Sequence, residues 1–309
     1  MERRRRRERR RSGNRPLRLA WLLLLLLVAA VGFYVKAPAA WLAALGLDRG
    51  PGATAVAVGQ LPPLPPGSEI AAATTPTWQI NRAPPVAATA DKPLVAVVLV
   101  GLGRSATATD VAISLPAPLS LAFSPYARPF AEVAERARLA GHEILVDLPM
   151  EGEGEEPDPG PGALLTLLDV PQNLERLEAI LGQGEPLAGV VVLGGERFLA
   201  ATDLVEPVMA RLRERGMMVV LPRIEGVDAG SGDGTALLLV DRRLYAAAST
   251  DELLAEVERI ALTTGSAVAV VPAEAPVLAE IGPWAASLAA RGFVLAPATQ
   301  VLERRLTGS

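Results

Sequence analysis

Leu94-Val95-Ala96-Val97-Val98-Leu99-Val100 is an unbroken apolar run that stops at Gly101-Leu102-Gly103. A strand buried on both faces reads this way, because a strand with one wet face would alternate polar and apolar residues. Working outward from it, apolar runs and helical segments take turns toward the C-terminus. Strands are expected at residues 119–123, 143–148, 190–193, 217–221, 237–240, 267–271 and 293–296. Helices are expected at 130–140, 171–183, 202–215 and 250–263, and in a segment ending over 283–291. Gly141, Gly216 and Gly292 each stand between a helix and the strand that follows, where a helix is closed by a residue of positive φ. Alternation of this kind implies one α/β domain with a parallel sheet, either a barrel or a doubly wound sheet, whose function sits at the C-terminal ends of the strands.

Composition bounds the chemistry. The chain has 309 residues, half of them apolar, which is enough to bury a large core. It has no Cys, so a disulfide scaffold, a zinc–thiolate site, an iron–sulfur cluster and a Cys nucleophile are excluded. Its single His, His142, excludes any site needing two imidazoles. Aromatics make up 4%, too few for a surface that stacks single-stranded nucleic acid.

The net charge of −4 is unevenly spread: residues 1–18 hold ten Arg and two Glu, or +8, which leaves −12 for the rest. Residues 19–35 are uncharged and include the run Leu22–Leu27. As a helix they would extend about 26 Å, near the lower limit for a bilayer span. Trp21 and Phe33-Tyr34 sit near the two ends, where aromatic rings favour the interface. The positive-inside rule then keeps 1–18 as a basic cytoplasmic tail, makes 19–35 an inner-membrane anchor, and sends the C-terminal body to the periplasm. Because the apolar segment follows the Arg run at once, that run is read as a topology signal and not as a nucleic-acid contact. Residues 36–92, with Pro51, Pro62, Pro63, Pro65, Pro66, Pro76, Pro84 and Pro85, read as a semi-extended Pro/Ala-rich linker to a domain at 93–309.

The expected strand ends read Val100-Gly101-Leu102-Gly103-Arg104, Asp147-Leu148-Pro149-Met150-Glu151, Gly194-Gly195-Glu196-Arg197, Leu221-Pro222-Arg223 and Val271-Pro272. With Leu115–Tyr126 and Asp158-Pro159-Gly160-Pro161-Gly162-Ala163-Leu164, these blocks resemble, in order, those of the divergent polysaccharide deacetylases, exported bacterial proteins related to carbohydrate esterases. The resemblance covers residues 93–306 and implies a deacetylase-like (β/α) barrel of about seven parallel strands and a link to carbohydrate metabolism. The departures fall on the polar positions. Where the family pattern has paired Asp at the first strand end, this chain has Val100 and Gly101. Where it has His before Leu-Pro-Met, this chain has Asp147. Asn-Asn-His becomes Val191, Val192 and Leu193, and the Ser after it becomes Glu196. Asp-Ser-Arg becomes Leu221, Pro222 and Arg223, and the late His-Pro becomes Val271-Pro272.

Hydrolysis of an acetyl group requires an activated water and a stabilised oxyanion, which related esterases obtain from a metal held by Asp and His. The substitutions therefore imply a pseudoenzyme with no cofactor and no metal, acting by binding an envelope glycan or an envelope protein. The alternatives are a carboxylate site rebuilt from Asp147, Glu151, Glu196 and Arg223, or an inert membrane tether. Gly101–Ala106 also fits the G-x-G-x-x-A of a dinucleotide loop, but the acid expected at the end of the second strand is missing. His142 precedes the third strand, on the side of the sheet away from the site, and reads as a loop residue.

Overall fold

The computed structural model describes residues 75–308 except Ala90, 154–158, Glu185, Leu193, 223–233 and 245–248. The expected basic tail, the anchor at 19–35 and Arg223 lie outside the described residues. Among those described, no helix is long and apolar enough to cross a membrane.

The domain is built on parallel strands: β1 (Leu94–Leu102), β2 (Ser120–Phe123), β3 (Glu143–Asp147), β4 (Gly189–Val191), β5 (Met218–Pro222), β6 (Ala236–Val240), β7 (Arg242–Arg243), β8 (Ser266–Pro272) and β9 (Val294–Leu295). Their order is β6-β5-β4-β3-β2-β1-β8-β7, with β9 added on β1. This corrects the strand count of about seven, and the reason is local. Only Asp241 separates β6 from β7, so one stretch of chain pairs first with β5 and then with β8. The Asp241 N–H donates to the Val268 carbonyl at 3.0 Å across that seam. The sheet thereby curls into a nearly closed barrel. β9 is the strand expected at 293–296, shortened to a two-residue pairing with the start of β1 at Leu94 and Val95.

The helices are α1 (Thr77–Ile80), α2 (Ala106–Ile113), α3 (Phe130–Leu139), α4 (Val170–Leu181), α5 (Glu196–Leu199), α6 (Thr202–Glu214), α7 (Thr250–Thr264), α8 (Ala275–Ser287) and α9 (Ala298–Thr307). Gly141, Gly216 and Gly292 have φ of 91°, 62° and 88°, as their placement after helices requires. Alternate strand residues divide the core into two layers. Val95, Val97 and Leu99 of β1 face the surrounding helices, packing with residues such as Ala134, Leu177 and Val257. Ala96, Val98 and Val100 face the lumen with Ala122, Leu145, Val191, Val220, Leu238 and Val268.

The end of the lumen at the strand N-termini is plugged. Ala298, Val301 and Leu302 of α9 and the indole of Trp78 close it. Two buried polar residues hold the plug: Ser120 Oγ donates to Glu143 Oε2 at 2.8 Å and accepts the Ala298 N–H at 2.9 Å. Glu143 also accepts the Thr299 N–H at 3.3 Å and the Thr299 hydroxyl. The Ser120 hydroxyl and the Glu143 carboxyl thus satisfy the Ala298 and Thr299 N–H groups at the start of α9, which has no side-chain cap of its own. Burial pushes the Glu143 carboxyl above its usual range, partly offset by these bonds.

Part of the expected linker belongs to this domain. Trp78 N–H donates to Gly216 O at 2.9 Å, and Asn81 Nδ2 to Leu187 O at 2.8 Å. Arg82 pairs with Glu303 at 3.0 Å. Val86 exchanges two bonds with the Gln300 side chain, at 2.9 and 2.8 Å. Residues 75–89 are therefore a strap across the plugged end and not a free spacer.

His142 is buried, which corrects its reading as an ordinary loop residue. Its Nδ1 accepts the Leu119 N–H at 3.2 Å, and Nε2, 3.0 Å from the Ile113 carbonyl, donates to it in the neutral ring. Burial lowers its pKa. It does lie on the side of the sheet away from the strand C-termini.

Candidate functional site

At the open end, β1 leaves the sheet through Gly101 and Gly103, with φ of 76° and 81°. A Cβ on Gly103 would come within 2.2 Å of the Ala127 Cβ, so only glycine fits there. Both N–H groups are spent inside the protein: Gly101 N–H donates to Asp147 Oδ2 at 3.1 Å, and Gly103 N–H to Thr109 Oγ1 at 2.9 Å. Ser105 caps α2 by accepting the Ala108 N–H at 3.3 Å. The two loop donors that a dinucleotide pyrophosphate would take are already occupied, which argues against that reading of Gly101–Ala106.

Asp147 ends β3 on the lumen side, four residues after Glu143. Its Oδ2 takes the Gly101 N–H, while Oδ1 is shut from solvent and has no partner. Burial raises its pKa to about 7, against the opposing effects of the Gly101 bond and the Arg104 charge. Asp147 forms part of the wall of a cavity of about 380 Å³. The other walls are Val100 to Leu102, Arg104, Ser105, Ala108, Thr109 and Pro272 to Glu274, from the ends of β1 and β8 and the starts of α2 and α8.

Of the other candidates, the two described ones, Glu151 and Glu196, are not gathered around this cavity. Glu151 is turned to the neighbouring loop. Its Oε2 accepts the Thr166 N–H and hydroxyl, both at 2.6 Å, and its Oε1 pairs with Arg197 at 3.3 Å. The Thr166 bonds, then the Arg197 charge, hold its carboxyl below the usual range. It is a fastening for the loop after β3, which its backbone also joins through Leu164 and Phe198. Glu196 is exposed at the start of α5. Neither Glu151 nor Glu196 lines the cavity.

Sequence reasoning missed Asn173 of α4, which is fully buried. Its Oδ1 accepts the Leu165 N–H at 3.0 Å, and its Nδ2 lies 3.1, 3.2 and 3.1 Å from the carbonyls of Leu165, Leu168 and Asp169. Tyr126 hydroxyl donates to Pro159 O at 3.1 Å and lies against Gly160, where a Cβ would come within 2.4 Å of it. An apolar helical pattern interrupted by one Asn was the available signal for the first. Nothing local signals the second.

Residues 97–302 match the sequence model of the divergent polysaccharide deacetylases. The chain belongs to that family. A crystal structure of an uncharacterized protein from Agrobacterium tumefaciens C58 is similar at 27% identity, covering 73% of this chain and 95% of that one, with a TM-score of 0.66. The catalytic domain of a peptidoglycan N-acetylglucosamine deacetylase from Eubacterium rectale ATCC 33656 is similar at 11% identity and a TM-score of 0.42, covering 71% of this chain and 93% of that one. No curated protein matches the chain.

Within this divergent polysaccharide deacetylase, the resembling blocks divide into two kinds. Tyr126 packs against the turn at 159–162: its hydroxyl donates to Pro159 O and accepts the Gly162 N–H, and its ring leaves no room for a Cβ on Gly160. The second kind lies at the strand ends, where most residues are apolar. The metal of related esterases does not fit the residues present: the β1 end offers Val100 and Gly101, the β4 end Val191 and Val192, and β3 a single carboxylate. Among the described residues, no three His, Asp or Glu stand together as a metal-binding group.

Proposed function

We propose that this protein is a catalytically degenerate divergent polysaccharide deacetylase that binds an envelope glycan, with an envelope protein as the alternative ligand. We place it in the inner membrane, anchored through residues 19–35, with the barrel in the periplasm. The observation that carries the reading is the upper lumen. Val100, Val191, Val240 and Val270 face inward there, and Asp147 is the carboxylate beside them. Apolar walls neither activate a water nor stabilise an oxyanion, whereas a concave site with a few polar groups suits recognition. The expected result is no turnover of acetylated glycans by the purified full-length protein, together with saturable glycan binding. Turnover that is lost in Asp147→Ala would overturn the reading. Membrane placement is tested by a C-terminal reporter that is active only in the periplasm. A soluble or cytoplasmic reporter refutes it.

One observation favours a second reading, an active hydrolase. An Asp held near pH 7 is poised for general acid–base work. That reading requires the turnover just described, with a pH profile that follows Asp147.

A further inference from the structure

The barrel is not closed by strand pairing all the way round. β5 pairs with β6 and β7 with β8, but among the described residues no strand pairing joins β6 to β8. One side chain fills that seam. Arg305, near the end of α9, donates from Nη1 to the Leu239 carbonyl of β6 at 2.8 Å and from Nε to Ser266 Oγ of β8 at 3.2 Å. Its Nη2 pairs with Asp241 Oδ2, and the same oxygen accepts the Val268 N–H of β8 at 2.8 Å. Both side chains of the pair are largely buried. A guanidinium suits this place. Its planar fork carries five donors in fixed directions, so it reaches acceptors on two strand edges at once, which a lysine ammonium does not. The rest of the wall is held by ladders: β1 and β8 are registered over seven residues, β2 and β3 over four.

We propose that the Arg305–Asp241 pair is a latch, and that the seam between β6 and β8 is a lateral gate where the barrel parts while its other ladders stay intact. Local opening starts where the fewest backbone hydrogen bonds must break. Parting at this seam uncovers Leu238 and Val240 of β6 and Val268 of β8, which face the lumen, and widens the lumen from the side. The gate operates whatever ligand the open end of the barrel takes.

Hydrogen exchange of the full-length protein, read by mass spectrometry on fragments covering 236–244 and 143–147, tests the latch. Arg305→Lys keeps the charge and loses the fork. Exchange in 236–244 is expected to quicken about tenfold, the effect of losing a hydrogen bond to a charged group, while 143–147 is unchanged. Asp241→Asn, which keeps an oxygen for the Val268 N–H, should act in the same direction by a smaller factor. Leu177→Ala, a cavity in the helix-facing core layer, should instead quicken both fragments together. If 236–244 in Arg305→Lys exchanges as slowly as in wild type, the latch is overturned. Equal quickening of the two fragments in that variant shows a general loss of stability and overturns the gate.

Discussion

Replacing Asp147 by Asn removes a charge that the fold holds at a cost. The Asp147 pKa is about 7 in the folded protein, against 3.8 for an unperturbed Asp. The folded state therefore holds this proton more tightly than the unfolded state. The sign follows: the site costs nothing extra below pH about 4, its penalty grows as pH rises, and it levels off above pH 7. At 1.36 kcal/mol per unit, the full penalty is about 4 kcal/mol, of which about 2.5 kcal/mol accrues between pH 5 and 8. Asn keeps an oxygen to accept the Gly101 N–H. Its amide group inherits the unpartnered place of Oδ1, at a pH-independent cost of about 1–3 kcal/mol. The readout is therefore the change with pH and not the sign at one pH. Urea unfolding of wild type and Asp147→Asn at pH 5 and pH 8 should show the variant gaining about 2.5 kcal/mol on the wild type over that interval, or roughly 5–10 °C by thermal unfolding. The pH dependence due to His142 and Glu143 is common to both proteins and cancels. A wild-type-to-variant difference that is the same at pH 5 and pH 8 would refute the buried-charge argument.

His142 works with the opposite sign. Its pKa is lowered, so its contribution is present above pH about 6.5 and is lost as pH falls, and His142→Ala should cost about 2 kcal/mol at pH 8 through its two hydrogen bonds while removing part of the acid sensitivity. Glu143→Ala should destabilise by about 2–4 kcal/mol, because Ser120 and the start of α9 lose their common acceptor, whereas Glu143→Gln retains one acceptor oxygen and should cost less in the same denaturation assay. Trp78→Ala should cost about 3–5 kcal/mol. A chain starting at residue 75 should accordingly resist proteolysis better than one starting at 93, and equal resistance would show that the strap contributes nothing.

Much of the barrel is legible in the sequence for a physical reason. Strands such as Val95–Val100 are buried on both faces, and Gly141, Gly216 and Gly292 mark helix ends by backbone geometry alone. Elements stabilised at a distance were not legible. Helix α9 depends on Ser120 and Glu143, and Glu143 lies 156 residues away from its Thr299 partner. No helix is read there from the sequence, because Glu303, Arg304 and Arg305 follow its short apolar stretch at once. The strap is hidden by its own composition: Pro76, Pro84 and Pro85 suggest a spacer, and the burial of Trp78 against the lumen outweighs them. At the site, Asp147, Glu151 and Glu196 look alike as carboxylates at strand ends. Only the fold separates a shut-in carboxyl from a loop fastening and an exposed side chain.

The strap also determines how the domain bears load. A pull entering at residue 75 meets the Trp78–Gly216 and Asn81–Leu187 contacts first and then Arg82–Glu303 and Val86–Gln300, and these come apart one at a time. Once they have gone, tension runs lengthwise into β1, which is flanked by β8 over seven registered residues and by β9 and then β2 on its other side. Parallel strands drawn along their axis resist in shear, with their hydrogen bonds loaded together. The strap is thus a sacrificial element that yields before the barrel, and the cavity at the far end keeps its shape while it does.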